Sequence, residues 1–379
     1  MASSVFRWFN LGVLFILWRL TLFVPLIIGA YLLSYNPSSP VTYVYKYINS
    51  NISFSSVFLF PWANFDGIHY LTIAEHGYTN QARFFPLFPV LIKAFTGIFE
   101  GSQLFILTLI VTLIFYLALK VLQKLIELDF SKEISMKTIL YLLIFPASFF
   151  FVSIYSESLF LLLTLLAFYF ARKKMWFLSI VCAMFVMATR FVGVAILPAL
   201  IYEFVKKEGI NIKKMPLFLF IPLGLVLYSI FNYYQWGNFF YFITAQGELG
   251  NSRSVSSIIL FPQTIYRYIK ILSTVSINSY DWAIALLELM SFLFVSLLLY
   301  FAWKKKIRTS YLIFALINFA IIISTGTFSG LPRYILTIFP IFLVLSLIKN
   351  KLFKFAYVAI SPILLFVLLM LFSRGYFVA

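Results

Sequence analysis

Residues 60–89, FPWANFDGIHYLTIAEHGYTNQARFFPLFP, hold both histidines of the chain and, in Asp66, a carboxylate set among aromatic side chains. If a helix starts at Asp66, then Asp66, His69 and Tyr70 share one face through their i, i+3 and i+4 spacing. Ile68, Leu71 and Ile73 would lay that helix on a membrane interface. A carboxylate in such a place is partly desolvated, which moves its proton affinity towards the range of a general base. The competing role for Asp66 is a helix N-cap. Glu75 lies nine residues further on and off that face, so a carboxylate pair with Asp66 is a poor fit and Glu75 is placed with the sugar- or acceptor-binding groups. His69 and His76 are ~10.5 Å apart along a helix, too far to share one zinc ion with bonds of ~2 Å. His69 therefore joins the candidate sugar- or acceptor-binding groups, and no metal site is expected.

A second set of residues suits a phosphate. Arg83, Arg190, Arg253 and Arg333 fall near one side of the membrane in the reading below, and a guanidinium fork can hold two phosphate oxygens. Arg333 and Arg253 are the favoured ligands. Arg190 sits near the end of a short span, where a charge needs a partner or a cavity, and Glu157 is its candidate partner. The plainer roles are an interfacial anchor for Arg333 beside Tyr334 and a helix cap for Glu157. Tyr155 and Gln246 either bind sugar hydroxyls or satisfy nearby backbone groups. Glu288, seven residues after Asp281 on one helix face, is expected to pair within the helical bundle.

The elements that must position these residues are membrane helices. Of 379 residues, 63% are hydrophobic, 21% aromatic and 11% charged, and mean hydropathy is +1.00, which excludes a soluble domain and a disordered chain alike. Eleven apolar segments are expected, at about 9–34, 103–126, 138–152, 156–171, 175–189, 191–206, 215–235, 281–302, 309–326, 334–349 and 354–373. The four between 138 and 206 reach only ~24 Å against a ~30 Å hydrocarbon core, with tight turns at SIYSES (153–158) and near Arg190. The net charge of +17 belongs to the membrane and not to a nucleic acid, because most Lys and Arg cluster in alternate loops. With Arg7 cytoplasmic, those clusters all fall inside, and Glu127, Asp129, Glu133, Glu203 and Glu208 read as solvated acids beside them. Both long loops, 35–102 and 236–280, then face outward. The expected fold is an all-α, polytopic integral membrane bundle of about eleven helices, a single catalytic domain over 1–379, with interfacial helices in the first outer loop. Cys182 is the sole cysteine, so no disulfide forms within the chain.

FDGIHYLTIAEHGY followed by RFFPLFP resembles the first-loop signature of the PIG-V mannosyltransferases. FPASFFFVSIYSESLF (145–160), ATRFVGVAILPAL (188–200), WGNFFYFITAQ (236–246), FPQTIYRYI (261–269) and LPRYILTIFPIF (331–342) are similar to strings of its prokaryotic relatives. The resemblance implies a GT-C type inverting glycosyltransferase that takes a hexose, foremost mannose, from a polyprenyl-phosphate donor at the extracytoplasmic leaflet. It also implies Asp66 as the catalytic acid of the first outer loop. Relatives in the wider class show two acids here, whereas this chain has Asn64-Phe65-Asp66-Gly67, so a metal-independent enzyme without cofactor is expected. The partners implied are the donor lipid, a glycan or glycolipid acceptor and membrane lipid. A prokaryotic plasma membrane is the expected location, or endoplasmic reticulum in a eukaryote. The alternative is a transporter or flippase of lipid-linked saccharides, for which the sequence offers many spans but no inverted repeat.

Overall fold

A computed structural model describes residues 10–36, 53–96, 103–247, 253–254 and 257–378; the expected orienting residue Arg7 and parts of both long loops lie outside them. The helices run α1 (Leu11–Thr21), α2 (Phe23–Leu32), α3 (Phe54–Phe58), α4 (Asp66–His76), α5 (Leu87–Thr96) and α6 (Gln103–Ile126). They continue as α7 (Lys132–Leu143), α8 (Glu157–Arg172), α9 (Trp176–Thr189), α10 (Ile196–Glu208), α11 (Leu223–Trp236) and α12 (Tyr241–Thr244). The last are α13 (Phe261–Thr274), α14 (Tyr280–Lys304), α15 (Thr309–Ile323), α16 (Leu331–Tyr334), α17 (Pro340–Leu347) and α18 (Lys351–Ser373). Among the described residues there is no strand, only an isolated bridge between Ile259 and Thr325.

Among the described residues, five helical segments are long and apolar enough to cross a membrane: Leu11–Leu32, Gln103–Ile126, Met215–Trp236, Tyr280–Lys304 and Lys351–Ser373. Lipid offers no partner to backbone N–H and C=O groups, so these apolar runs satisfy them internally as helices. Polar caps start several of them: Asn10 accepts from Gly12, Ser279 from Trp282 and Asn350 from Phe353. The other six expected segments each contain a helix, of eight to sixteen residues. None of these reaches span length by itself. The helical path breaks where the sequence placed its turns, with bends at Ser153–Ser156 and extended backbone at Arg190.

The chain packs as two compact units, the first made of Met1–Gly77, Phe88–Leu165 and Leu345–Val378, the second of Tyr78–Leu87 and Leu166–Val344. In the first unit α2 lies against α18 so closely that a side chain on Gly29 would come 3.3 Å from the Met370 carbonyl. Trp18 donates its indole N–H to Leu143 O at 2.7 Å, tying α1 to the end of α7. In the second unit α9 and α11 cross at Gly224, where an added Cβ would lie 2.1 Å from Met184 O.

Glu203 is not a solvated loop acid but is fully buried in the second unit. It accepts from Arg308 at 2.9 Å and from Ser310 Oγ at 2.8 Å, with Lys207 at 3.7 Å and Arg172 at 3.9 Å. Three cations and a hydroxyl offset the desolvation that a lone carboxylate would suffer there. Lys207 also donates to the Ala171 and Arg172 carbonyls, closing the C-terminal end of α8.

Candidate functional site

The sequence-selected residues gather in two places, one in each unit. In the first, Asn64 to Gly67 form a tight turn closed by Gly67 N–H donating to Asn64 O at 3.3 Å. Phe65 takes φ 54°, ψ −114°, the first central position of a type II′ turn, which glycine usually fills. A bulky residue held there stores about 1–3 kcal/mol of backbone strain, so its surroundings must impose it. They do so through the SIYSES segment. Tyr155, 1% exposed, donates its hydroxyl to Asn64 O at 2.8 Å and accepts from Asp66 N–H at 3.2 Å. Ile154 N–H donates to Trp62 O at 2.8 Å, and the Tyr70 hydroxyl to Ser156 Oγ at 2.9 Å. Asn64 Nδ2 donates to Phe372 O at 2.8 Å, while the Phe65 ring packs on Phe372 and Phe377.

The expected helix does begin at Asp66, but the N-cap position belongs to Phe65, which makes no side-chain capping bond. Asp66 is instead the first helical residue, where the helix dipole favours a negative charge. It is half-buried, as is His69, while Tyr70 and Ile73 turn inward. Glu75 and His76 are exposed and lie 3.6 Å apart, paired with one another at the far end of α4. Tyr155 spends its hydroxyl on the main chain. Glu157, 1% exposed, occupies the first turn of α8.

In the second unit three of the four candidate arginines converge on one tyrosine. The guanidinium carbons of Arg333, Arg253 and Arg190 lie 4.8, 5.0 and 5.2 Å from the Tyr334 ring centre. The Tyr334 hydroxyl accepts from Arg333 Nη2 at 2.9 Å and from Arg253 Nη2 at 3.0 Å. Arg253 also donates to Ser329 O at 3.1 Å and to Gln246 Oε1 at 3.1 Å, so Gln246 orients an arginine. Arg333 is 6% exposed. Cations over a π-face are attracted to it, which lets one ring collect guanidiniums that would otherwise repel one another. The Arg83 guanidinium lies 4.8 Å over the Phe84 ring.

Sequence reasoning missed Tyr334 as the hub and treated it only as a neighbour of Arg333. The signal was present in the Arg-Tyr pair of LPRY. Tyr155 takes the second of its two expected roles, satisfying backbone groups, and those groups belong to the Asp66 turn. The gathered arginines can bind an anion with planar forks, and a half-buried carboxylate at a strained turn can accept a proton. Among the described residues no three His, Cys, Asp or Glu side chains come together as a metal site would require.

A model of the family described as mannosyltransferase (PIG-V) matches residues 9–208. That range holds the Asp66 turn, the SIYSES brace and Arg190. No curated protein and no solved structure matches the chain. With more than half of its length matched, the chain belongs to the PIG-V mannosyltransferase family.

Proposed function

We propose that the protein moves mannose from a polyprenyl-phosphate carrier to a hydroxyl of a glycan or glycolipid acceptor, with inversion, at the extracytoplasmic face of a prokaryotic plasma membrane. Asp66 takes the acceptor hydroxyl proton. The acceptor oxygen bonds to the anomeric carbon as the bond from that carbon to the phosphate oxygen breaks, and the electron pair leaves with the carrier phosphate. Arg333, Arg253 and Arg190 hold that phosphate and meet the charge it gains, so the reading assigns no step to a metal ion. His69 is the residue of α4 nearest in register to Asp66 for holding a sugar or acceptor hydroxyl. The reading includes eleven crossings of GT-C type with the N-terminus inside.

The observation that carries this reading is the convergence of three arginines on Tyr334, a cationic cluster suited to a lipid phosphate in a chain whose family transfers mannose. The test is label transfer from radiolabelled polyprenyl-phosphate mannose to endogenous acceptors in membranes containing wild type or Asp66→Asn. Loss of a base lowers the rate by ~10²- to 10⁴-fold. Undiminished transfer by the variant overturns the assignment.

A further inference from the structure

Glu288 lies in the membrane-crossing helix α14 and is 4% exposed. A carboxylate at such a position is costly unless it is held by donors, and it marks a function by default. Both of its oxygens are engaged. Oε2 accepts from the Tyr268 hydroxyl at 2.6 Å and Oε1 accepts from the Gly330 backbone N–H at 3.0 Å. The Tyr268 oxygen in turn accepts from the Phe328 N–H at 3.0 Å. The carboxylate and the phenol thus satisfy two backbone donors of one loop, 324–330, which lies outside any helix.

That loop is the platform of the arginine cluster. Ser329 O takes Arg253, and Gly330 O takes the N–H groups of Arg333 and Tyr334 at 3.1 and 3.2 Å, opening α16. Gly330 sits at φ 76°, a left-handed turn that sends the chain into α16. Ser254 N–H, next to Arg253, donates to Thr325 O at 2.9 Å, and Arg267 donates to Gly326 O at 2.9 Å. The loop is thereby tied to Arg253, Arg333 and Tyr334, and among the described residues Glu288 is the acid bonded to it.

We propose that Glu288, acting with Tyr268, is a positioning residue that locks loop 324–330 so that Arg253 and Arg333 meet on Tyr334 in the geometry that binds the phosphate of a carrier lipid. This rests on the reading of that cluster given above. Glu288 bonds to the Gly330 backbone and the Tyr268 phenol, so it orders the loop without taking the guanidinium forks.

The test measures binding of radiolabelled polyprenyl-phosphate mannose to the purified full-length protein in detergent, as a dissociation constant and as moles bound per mole. Glu288→Ala leaves the Gly330 N–H without its acceptor, and the dissociation constant is expected to rise about tenfold or more at unchanged stoichiometry. Glu288→Gln keeps an acceptor for Gly330 and is expected to remain within about threefold of wild type. A purely structural role would instead lower the moles bound and leave the dissociation constant of the remainder unchanged, and that result overturns the proposal. Should Glu288→Ala yield no folded protein, Tyr268→Phe decides, since it frees the Phe328 N–H while retaining the bond to Gly330; unaltered binding by it also overturns the proposal. Arg333→Ala, measured alongside, separates the two readings. If it binds donor normally, the phosphate assignment itself fails; if it binds weakly while Glu288→Ala binds normally, only the lock is wrong.

Discussion

Replacing Tyr155 by Phe removes one hydroxyl and two hydrogen bonds from the turn that presents Asp66. The ring remains, so its packing on Phe150 and Phe372 is kept and the change is confined to the oxygen. Each neutral hydrogen bond contributes ~0.5–1.5 kcal/mol, so the pair is worth about 1–3 kcal/mol. The positive φ of Phe65 costs a similar ~1–3 kcal/mol, held in place by this hydroxyl together with the Asn64 and Ile154 bonds. The two quantities are of one size, so the variant turn relaxes and the first residue of α4 shifts. A displacement near 1 Å costs up to ~10²-fold in rate, and transfer from polyprenyl-phosphate mannose is expected to fall about tenfold to a hundredfold. Donor binding, which the reading gives to the arginines, should stay within about twofold. Initial rates in membranes normalised to folded protein measure the first quantity and equilibrium binding the second. Phe65→Gly in the same background supplies a residue that adopts the turn without strain, and it should recover part of the rate. Wild-type turnover by Tyr155→Phe would refute the argument that the hydroxyl imposes the turn.

Removing the Glu203 side chain in Glu203→Ala leaves Arg172, Lys207 and Arg308 facing one another in a buried place. A loss of about 3–5 kcal/mol is expected, read as a thermal midpoint several degrees lower by size-exclusion of heated detergent samples; an unchanged midpoint would count against the cluster as a clamp. Gly224→Ala would set a Cβ 2.1 Å from Met184 O and 2.9 Å from Ala188 N, both backbone atoms, so α9 and α11 must separate. Overpacking of this kind costs about 1–3 kcal/mol or more, and the same assay should show reduced folded yield. The Glu133 carboxyl is held below its usual value by the hydrogen bond and charge of Lys137, and that of Glu208 by hydrogen bonds from Lys214 and Trp176. Depressed carboxyls contribute stability that is full above the unfolded value near ~4.3 and is lost as pH falls through their lower folded values. The midpoint should therefore be flat from pH 6 to 8 with respect to these groups and decline below about pH 4.5. The decline should be shallower in a Glu133→Gln, Glu208→Gln variant.

The helices, among them the one that begins at Asp66, were legible in the sequence because their causes are local. Lipid obliges each apolar run to close its own hydrogen bonds, so hydropathy places segments such as 103–126 to the residue. Polar interruptions at SIYSES and Arg190 marked true breaks. Span length was less legible, since 3-10 turns close the segment 138–152 at Ser148–Val152 and open the segment 191–206 at Phe191–Ala195, and hydropathy does not register them.

The string around Asp66, the basic loops and the family likeness are fixed by composition and order along the chain, and they told what kind of protein this is. Which residues act together was decided only by packing. Tyr334 meets Arg190 from 144 positions away, Tyr155 braces a turn 91 residues earlier, and Glu203 is buried because Arg308 and Ser310 arrive from α15 and the turn before it. Such partnerships depend on side chains brought together across the fold, where desolvation makes each donor and acceptor count, and a one-dimensional pattern carries no record of that proximity.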